Sequence, residues 1–181
     1  MLSIDLVPLM NWSIMIILIG SQKGGSGKST TAVNISAWLA DNNKDVCLID
    51  AGRHNTASNW VTDRDESGDR PKVHCVQKYD NTRETLKDLN GRYEYVIVEQ
   101  DLNPDLKVHA LVTMAPSNPV VNETQEAKEY LSYYPNITLL KTIIRDRKVY
   151  RNGMCAGRGF TEMTKYNAKN EFQMLVNKVL K

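Results

Sequence analysis

The stretch Ile14-Met15-Ile16-Ile17-Leu18-Ile19-Gly20, followed by Gln22-Lys23-Gly24-Gly25-Ser26-Gly27-Lys28-Ser29-Thr30 and then a helical pattern, decides the fold. An apolar strand that runs through a glycine-rich loop into a helix brings loop amides and a helix N-terminus onto one anion. Gly24, Gly25 and Gly27 let the backbone, with Ser26 between them, wrap a phosphate in φ/ψ regions that a side chain obstructs. Lys28 is placed to reach β- and γ-phosphate oxygens as a point charge, and the Ser29 hydroxyl to ligate Mg²⁺. Thr30 is a candidate donor to the α-phosphate. The pattern predicts a nucleoside-phosphate site. The alternative, a strand-to-helix turn that binds nothing, is disfavoured by the Gly-Lys-Ser core. Gln22 stands where a strict loop of this kind has its first glycine, and Lys23 is a second lysine that such loops do not usually carry.

That departure carries a resemblance. The run from Lys23 to Thr30 resembles the deviant Walker A motif of the ParA/MinD family of ATPases, and is most similar to the short plasmid-partition ParA proteins. Val46-Cys47-Leu48-Ile49-Asp50 resembles the family's second strand with its switch acid, and Thr56-Ala57-Ser58-Asn59-Trp60 the segment after it. Tyr93-Glu94-Tyr95-Val96-Ile97-Val98 is similar to the Walker B strand. Ile144-Arg145-Asp146-Arg147-Lys148-Val149-Tyr150-Arg151 is similar to the basic C-terminal segment. The likeness covers residues 15–180. It implies ATP and Mg²⁺ as cofactors and a homodimer that forms with ATP, in which Lys23 reaches the partner's phosphates. It further implies a ParB-like partner protein, nonspecific DNA, and a cytoplasmic, nucleoid-associated location. Lys23, Lys28 and Asp50 are the implied catalytic residues, with Ser29 and Asp50 at the Mg²⁺, Asp50 through water. The alternative for Lys23 is a solvated lysine acting through general electrostatics.

At 181 residues the chain fits one domain with a substantial core. A net charge of +2 means that any nucleic-acid binding comes from a local patch rather than a global field. Cys47, Cys75 and Cys155 lack metal-ligand spacing and read as reduced cytosolic thiols; His54, His74 and His109 are equally dispersed. Residues 1–14 are apolar but contain Asp5 and no Lys or Arg, so they lack the positive region of a secretory signal. Asp5, Pro8 and Asn11 interrupt the apolar run and argue against a membrane span. The family-like strand starts at Met15, so residues 1–14 read as an extension upstream of a nucleotide-binding domain at 15–181, or as a misassigned start with Met15 the functional one.

Strand patterns at about 14–20, 45–50, 72–77, 94–99, 106–114 and 137–144 alternate with helical ones at about 28–41, 81–90, 121–133 and 164–180. Alternation predicts an α/β fold with a mostly parallel, twisted sheet flanked by helices, of the P-loop NTPase kind. One junction does not fit. Only Gln100-Asp101-Leu102-Asn103-Pro104-Asp105 separate the strand ending at Glu99 from the next, whereas a parallel crossover needs about a dozen residues. Family members carry a further strand-helix block here, so the resemblance implies its deletion around 99–101. A short hairpin with a reversed strand is the alternative.

Two departures bear on chemistry. Glu99 stands at the family's Walker B aspartate, beside the suspect junction, and Asp50-Ala51-Gly52 replaces the usual Asp-x-Asp. Gly52 cannot act as a carboxylate, which weakens hydrolysis more than binding. Lys141, Arg145, Arg147, Lys148, Arg151 and Arg158 concentrate positive charge around Tyr150, which suits sequence-independent phosphate contact. Arg145, Arg147, Lys148 and Arg151 are the candidate DNA-binding residues; the alternative is a solvated face partly paired with Asp146 and Glu162. The stripe Phe172, Leu175, Val176, Val179 and Leu180 is either the core face of a terminal helix or a MinD-like membrane-targeting tail. The expected function is an ATP-binding partition protein with hydrolysis in doubt. A nonenzymatic nucleotide-dependent binding protein, a degenerate ParA copy and a MinD-like membrane-associated ATPase are the alternatives.

Overall fold

The computed structural model describes residues 2–6, 14–21, 24–79, 82–101, 108–118, 122–133 and 137–180. Gln22, Lys23 and most of the short junction lie outside them. The strands are β1 (Leu2–Leu6), β2 (Met15–Ser21), β3 (Val46–Asp50), β4 (His74–Gln77), β5 (Tyr95–Asp101), β6 (Val108–Ala115) and β7 (Ile137–Arg145). The helices are α1 (Lys28–Asp41), α2 (Thr56–Ser67), α3 (Thr82–Leu89), α4 (Glu123–Ser132), α5 (Lys148–Met154) and α6 (Tyr166–Val179). A 3₁₀ turn, Phe160–Glu162, precedes α6.

One sheet of order β4-β3-β5-β2-β1-β6-β7 holds all seven strands. β4, β3, β5 and β2 are mutually parallel, as are β6 and β7, and β1 alone runs against both its neighbours. The parallel α/β architecture expected from the alternating patterns is therefore present, with one strand reversed. That strand is not the one after the short junction. β6 has the same sense as β5 and is separated from it by β2 and β1, so the reversed-hairpin alternative is wrong. Instead the slot on the far side of β2 is filled from the chain's own beginning, with Ser3 opposite Gly20 on one edge and Ala110 on the other. Period-2 patterning marks exposed and buried faces but says nothing about which neighbour a strand takes, and Leu2–Leu6 carries no turn signal that places it inside a sheet.

Strand side chains alternate between two cores. Ile17, Ile19, Leu48 and Ile97 face α1, α2 and α6, joining Ile35, Leu39, Trp60, Phe172 and Val176. Ile16, Leu18, Ile49, Val96 and Val98 point the other way and meet Leu89 of α3. Both faces of this half of the sheet are buried, the condition under which parallel strands read as continuous apolar runs. Phe172, Leu175 and Val176 are fully buried, so the terminal stripe is a core face; burial of Phe172 alone contributes about 1.5–3 kcal/mol.

Helix α2 is tied to the C-terminal segment by Arg64, whose side chain is 1% exposed. Its guanidinium donates to Pro71 O, Gly157 O, Glu162 Oε2 and Asp41 Oδ1 and lies over Trp60. Gly157 has φ 58°, and a Cβ there would come within 2.3 Å of Arg64 N, so only glycine admits this approach. Burial pushes the Asp41 carboxyl up, while its hydrogen bond from Thr161 pulls the other way. Removing one member of such a network strands the rest. Arg64→Ala is expected to cost about 3–5 kcal/mol in urea unfolding, whereas Arg70→Ala, at the rim of the same network, is expected to cost much less.

Candidate functional site

The glycine loop leaves the sheet at the end of β2 and enters α1 at Lys28. Gly25 and Gly27 have φ of 72° and 82°, the left-handed region that glycine enters without penalty. α1 starts with no side-chain cap and no acidic residue in its first turn, so its leading amides and positive dipole end remain for an anion. Opposite the loop lie the residues after β3 and the end of β5, and together they enclose a cavity of 420 Å³. Gly24 to Thr30, Asp50, Gly52 to Thr56, Glu99, Gln100 and Met114 are among its walls. All of the loop residues expected at the phosphates, from Gly24 to Thr30, thus share one cavity with Asp50, and Lys23 lies outside the described residues.

Internal hydrogen bonds fix the loop. Lys28 Nζ donates to Ser21 Oγ at 3.2 Å, and the Ser21 and Ser26 hydroxyls are 2.6 Å apart. From the far side, Thr113 Oγ1 donates to Ser26 O at 2.5 Å. Next to Thr113, Met114 is held at φ 55°, where the β6–β7 pairing is irregular, a strained backbone for a long side chain.

The acids divide their work. Glu99 on β5 is opposite both Ile19 of β2 and Asp50 of β3, and its Oε1 accepts the Ser29 hydroxyl at 2.6 Å. Asp50, 1% exposed, accepts from Gly52 N–H at 3.0 Å and from both the N–H and Oγ of Ser58 at 2.9 Å. A carboxylate receiving amide N–H bonds at a helix's first turn caps it electrostatically. Asp50 thus anchors the start of α2, while Glu99 meets the serine expected at the metal. Gly52 lies between them: a Cβ there would sit 3.2 Å from Asp50 Oδ1 and 3.8 Å from Glu99 Oε1. The Ser29 hydroxyl and the Glu99 carboxylate are hard oxygen donors of the kind Mg²⁺ takes alongside substrate phosphates and water, with Asp50 behind them, so the residues fit that ion. The cysteines and histidines have no such arrangement; among the described residues no three His, Cys, Asp or Glu side chains could hold a metal. Burial pushes the Cys47 thiol up to about 12, which keeps it protonated and inert.

The basic segment follows β7 and lies beside the loop. Arg145 Nη1 donates to Pro116 O at 2.8 Å, and the Arg147 guanidinium binds Glu171, at 2.6 Å for the shortest contact. Tyr150 Oη is 2.9 Å from Glu171 Oε2 and 3.0 Å from Ala168 O; burial and the Glu171 charge push its hydroxyl upward. Arg151 pairs with Asp146, as expected, but Glu162 serves Arg64 and Arg70 instead of this segment. Gly27, Thr30, Met114, Arg145, Arg147 and Tyr150 surround a recess of 70 Å³. Glu171, the acid that organises this cluster, was not singled out from the sequence; its separation from the basic run hides the pairing.

A left-handed glycine loop between a buried strand and an uncapped helix, with a serine-acid pair at its mouth, defines a P-loop nucleotide site on an α/β sheet. The chain belongs to the family of CobQ/CobB/MinD/ParA nucleotide binding domains, whose model matches residues 17–156. Among curated relatives, it is 42% identical to the chromosome-partitioning ATPase Soj of Thermus thermophilus over 52 residues, 29% of this chain and 21% of that protein. It is 34% identical to the maintenance of carboxysome distribution protein A of Gloeobacter kilaueensis over 101 residues, 55% of this chain and 43% of that protein. The chain thus spans less than half the length of these relatives. The fold is similar to that of a Borrelia burgdorferi B31 protein, described as a plasmid partition protein and solved with AMPPNP. That match has a TM-score of 0.61 and 15% identity, and covers 90% of this chain and 98% of the other.

Because Ser29 and Glu99 meet each other, either change affects the same feature. Ser29→Ala and Glu99→Ala are each expected to reduce the gain in nucleotide affinity that Mg²⁺ confers, by about 1.5–3 kcal/mol, and to leave metal-free binding nearly unchanged in calorimetric titrations with and without EDTA.

Proposed function

We propose that this protein is an ATP-switched partition protein that dimerises around nucleotide, binds nonspecific DNA in that state and hydrolyses ATP slowly. The observation that carries the reading is the loop itself: left-handed Gly25 and Gly27, the uncapped start of α1, and Ser29 bonded to Glu99. Gly24 to Thr30 would receive the phosphates, with Lys28 supplying charge. Ser29 and Glu99 would hold Mg²⁺, and Asp50 would act from the second layer, holding the loop after β3 in place. Mg²⁺ when bound would neutralise phosphate charge and polarise the terminal phosphoryl group. Lys23 is assigned to the partner's phosphates, and a ParB-like protein to stimulation of turnover.

Slow turnover follows from the acids. Asp50 is occupied by three donors, and position 52 has no carboxylate to orient an attacking water. In a single-turnover experiment with Mg-ATP and excess protein, ATP is expected to bind fully and decay slowly; decay as fast as that of an intact relative would disprove the impairment.

The DNA reading is narrowed by pairing. Arg147 is held by Glu171 and Arg145 by Pro116 O, which leaves Lys148 and Arg151 of α5 as the exposed ones of the four candidates, Arg151 in an exposed pair with Asp146, with Lys141 and Arg158 exposed as well. Such a pair is worth little and exchanges readily for a phosphate. Lys148→Ala with Arg151→Ala is expected to weaken ATP-dependent DNA retention severalfold at low salt and to flatten its salt dependence; unchanged retention would remove α5 from the DNA surface. The membrane-associated alternative has no support from the terminal stripe, whose apolar residues are in the core. No helix among the described residues is long and apolar enough to cross a membrane.

A further inference from the structure

Lys28 is not the only cation in the wall of the nucleotide cavity. The loop from Gly52 to Asn55 leaves β3 at the same edge of the sheet as the glycine loop leaves β2, with β5 between the two strands. Arg53, at the centre of that loop, is exposed and lines the cavity together with Gly24 to Thr30. It forms no ion pair among the described residues, in contrast to Arg64, Arg70, Arg145, Arg147 and Arg151, each of which has an acidic partner.

The loop that carries it is held at both ends. Asp50 takes the Gly52 N–H at one end and the Ser58 N–H at the other, Asn55 N–H closes back on Gly52 O, and the Tyr79 hydroxyl bonds to the Asn55 side chain. Asn55 adopts φ 52°, which turns the chain sharply into α2. Arg53 therefore stands on a braced turn rather than a free one. Its place in the wall makes it available to a ligand. Lys28, Asp50 and Glu99 line the same cavity, and each is hydrogen-bonded within the protein, to Ser21, to Gly52 and Ser58, and to Ser29, whereas Arg53 has no such bond among the described residues.

We infer that Arg53 is the specificity residue for the terminal phosphate, binding in cis the anionic group that distinguishes a nucleoside triphosphate from a diphosphate. This rests on the nucleotide reading of the same cavity. A guanidinium presents a fork of N–H donors that matches two phosphate oxygens, and such charge-assisted bonds are stronger than those between neutral groups. A group that contacts only the third phosphate contributes nothing to diphosphate binding. Arg53 thus makes the state of the bound nucleotide legible to the start of α2, through the turn that Asp50 and Tyr79 hold.

The test is calorimetric titration of wild type, Arg53→Ala, Arg53→Lys and Lys28→Ala with Mg-ATP and with Mg-ADP. Arg53→Ala is expected to lose about tenfold or more in ATP affinity with ADP affinity within about twofold of wild type. Arg53→Lys is expected to recover part of the loss, and Lys28→Ala to lose both ligands. Unfolding midpoints equal to wild type accompany these results, because the side chain is exposed. Arg53→Ala that weakens both nucleotides equally, or neither, overturns the assignment while leaving the nucleotide site intact. A wild-type chain that binds neither nucleotide overturns the nucleotide reading itself, and the assignment with it.

Discussion

A carboxylate taken almost wholly out of water has to be met by donors, and at Asp50 the three that meet it come from the turn and helix that follow its own strand. Ionised carboxylates at 1% exposure are tolerated only when their lone pairs are filled. Gly52 and Ser58 fill them, and in doing so fix where the chain goes after β3. The position of α2 follows, then that of Trp60 and Arg64 on it, then that of the C-terminal segment Arg64 grips. The same three bonds set the far wall of the nucleotide cavity. One desolvated charge thereby links the packing of the sheet to the shape of the site.

The glycine loop is legible in the sequence because its chemistry is local. Gly25, Gly27, Lys28 and Ser29 act through backbone angles and through a strand and helix directly attached to them, so their spacing alone carries the reading. Helices α1, α3, α4 and α6 and the six strands after residue 14 were equally readable, since each shows its own periodicity. Helix α2 shows less: four buried residues, Ala57, Trp60, Val61 and Arg64, include a charged one, and the stripe is invisible until Asp41 and Glu162 arrive to pair it. Glu99 could be located but not given a partner, because the meeting with Ser29 depends on β2 and β5 lying side by side. Likeness implies Asp50 at the Mg²⁺ through water, and only the fold supplies the donors from Gly52 and Ser58 that surround it.

The basic stretch after β7 divides in the fold. Charges close in sequence look like a surface patch, and a patch suggests a polyanion. In the fold, Glu171 reaches in from α6 and takes Arg147 and, at longer range, Arg145, while Tyr150 is buried beneath them. Lys141, Lys148, Arg151 and Arg158 remain on the outside. The organised part closes the flank of α1 next to Thr30, so the segment belongs to the nucleotide-binding half of the molecule as much as to its surface.

β1 has a geometrical consequence of a different kind. Because it runs antiparallel to β2, its first residues lie at the end of β2 where the glycine loop begins, with Ser3 opposite Gly20. Leu2 thus stands in the middle of the sheet, between two paired strands, on the edge that carries the phosphate loop. An affinity tag or fusion partner joined at Leu2 would start beside the strand end from which the phosphate loop departs.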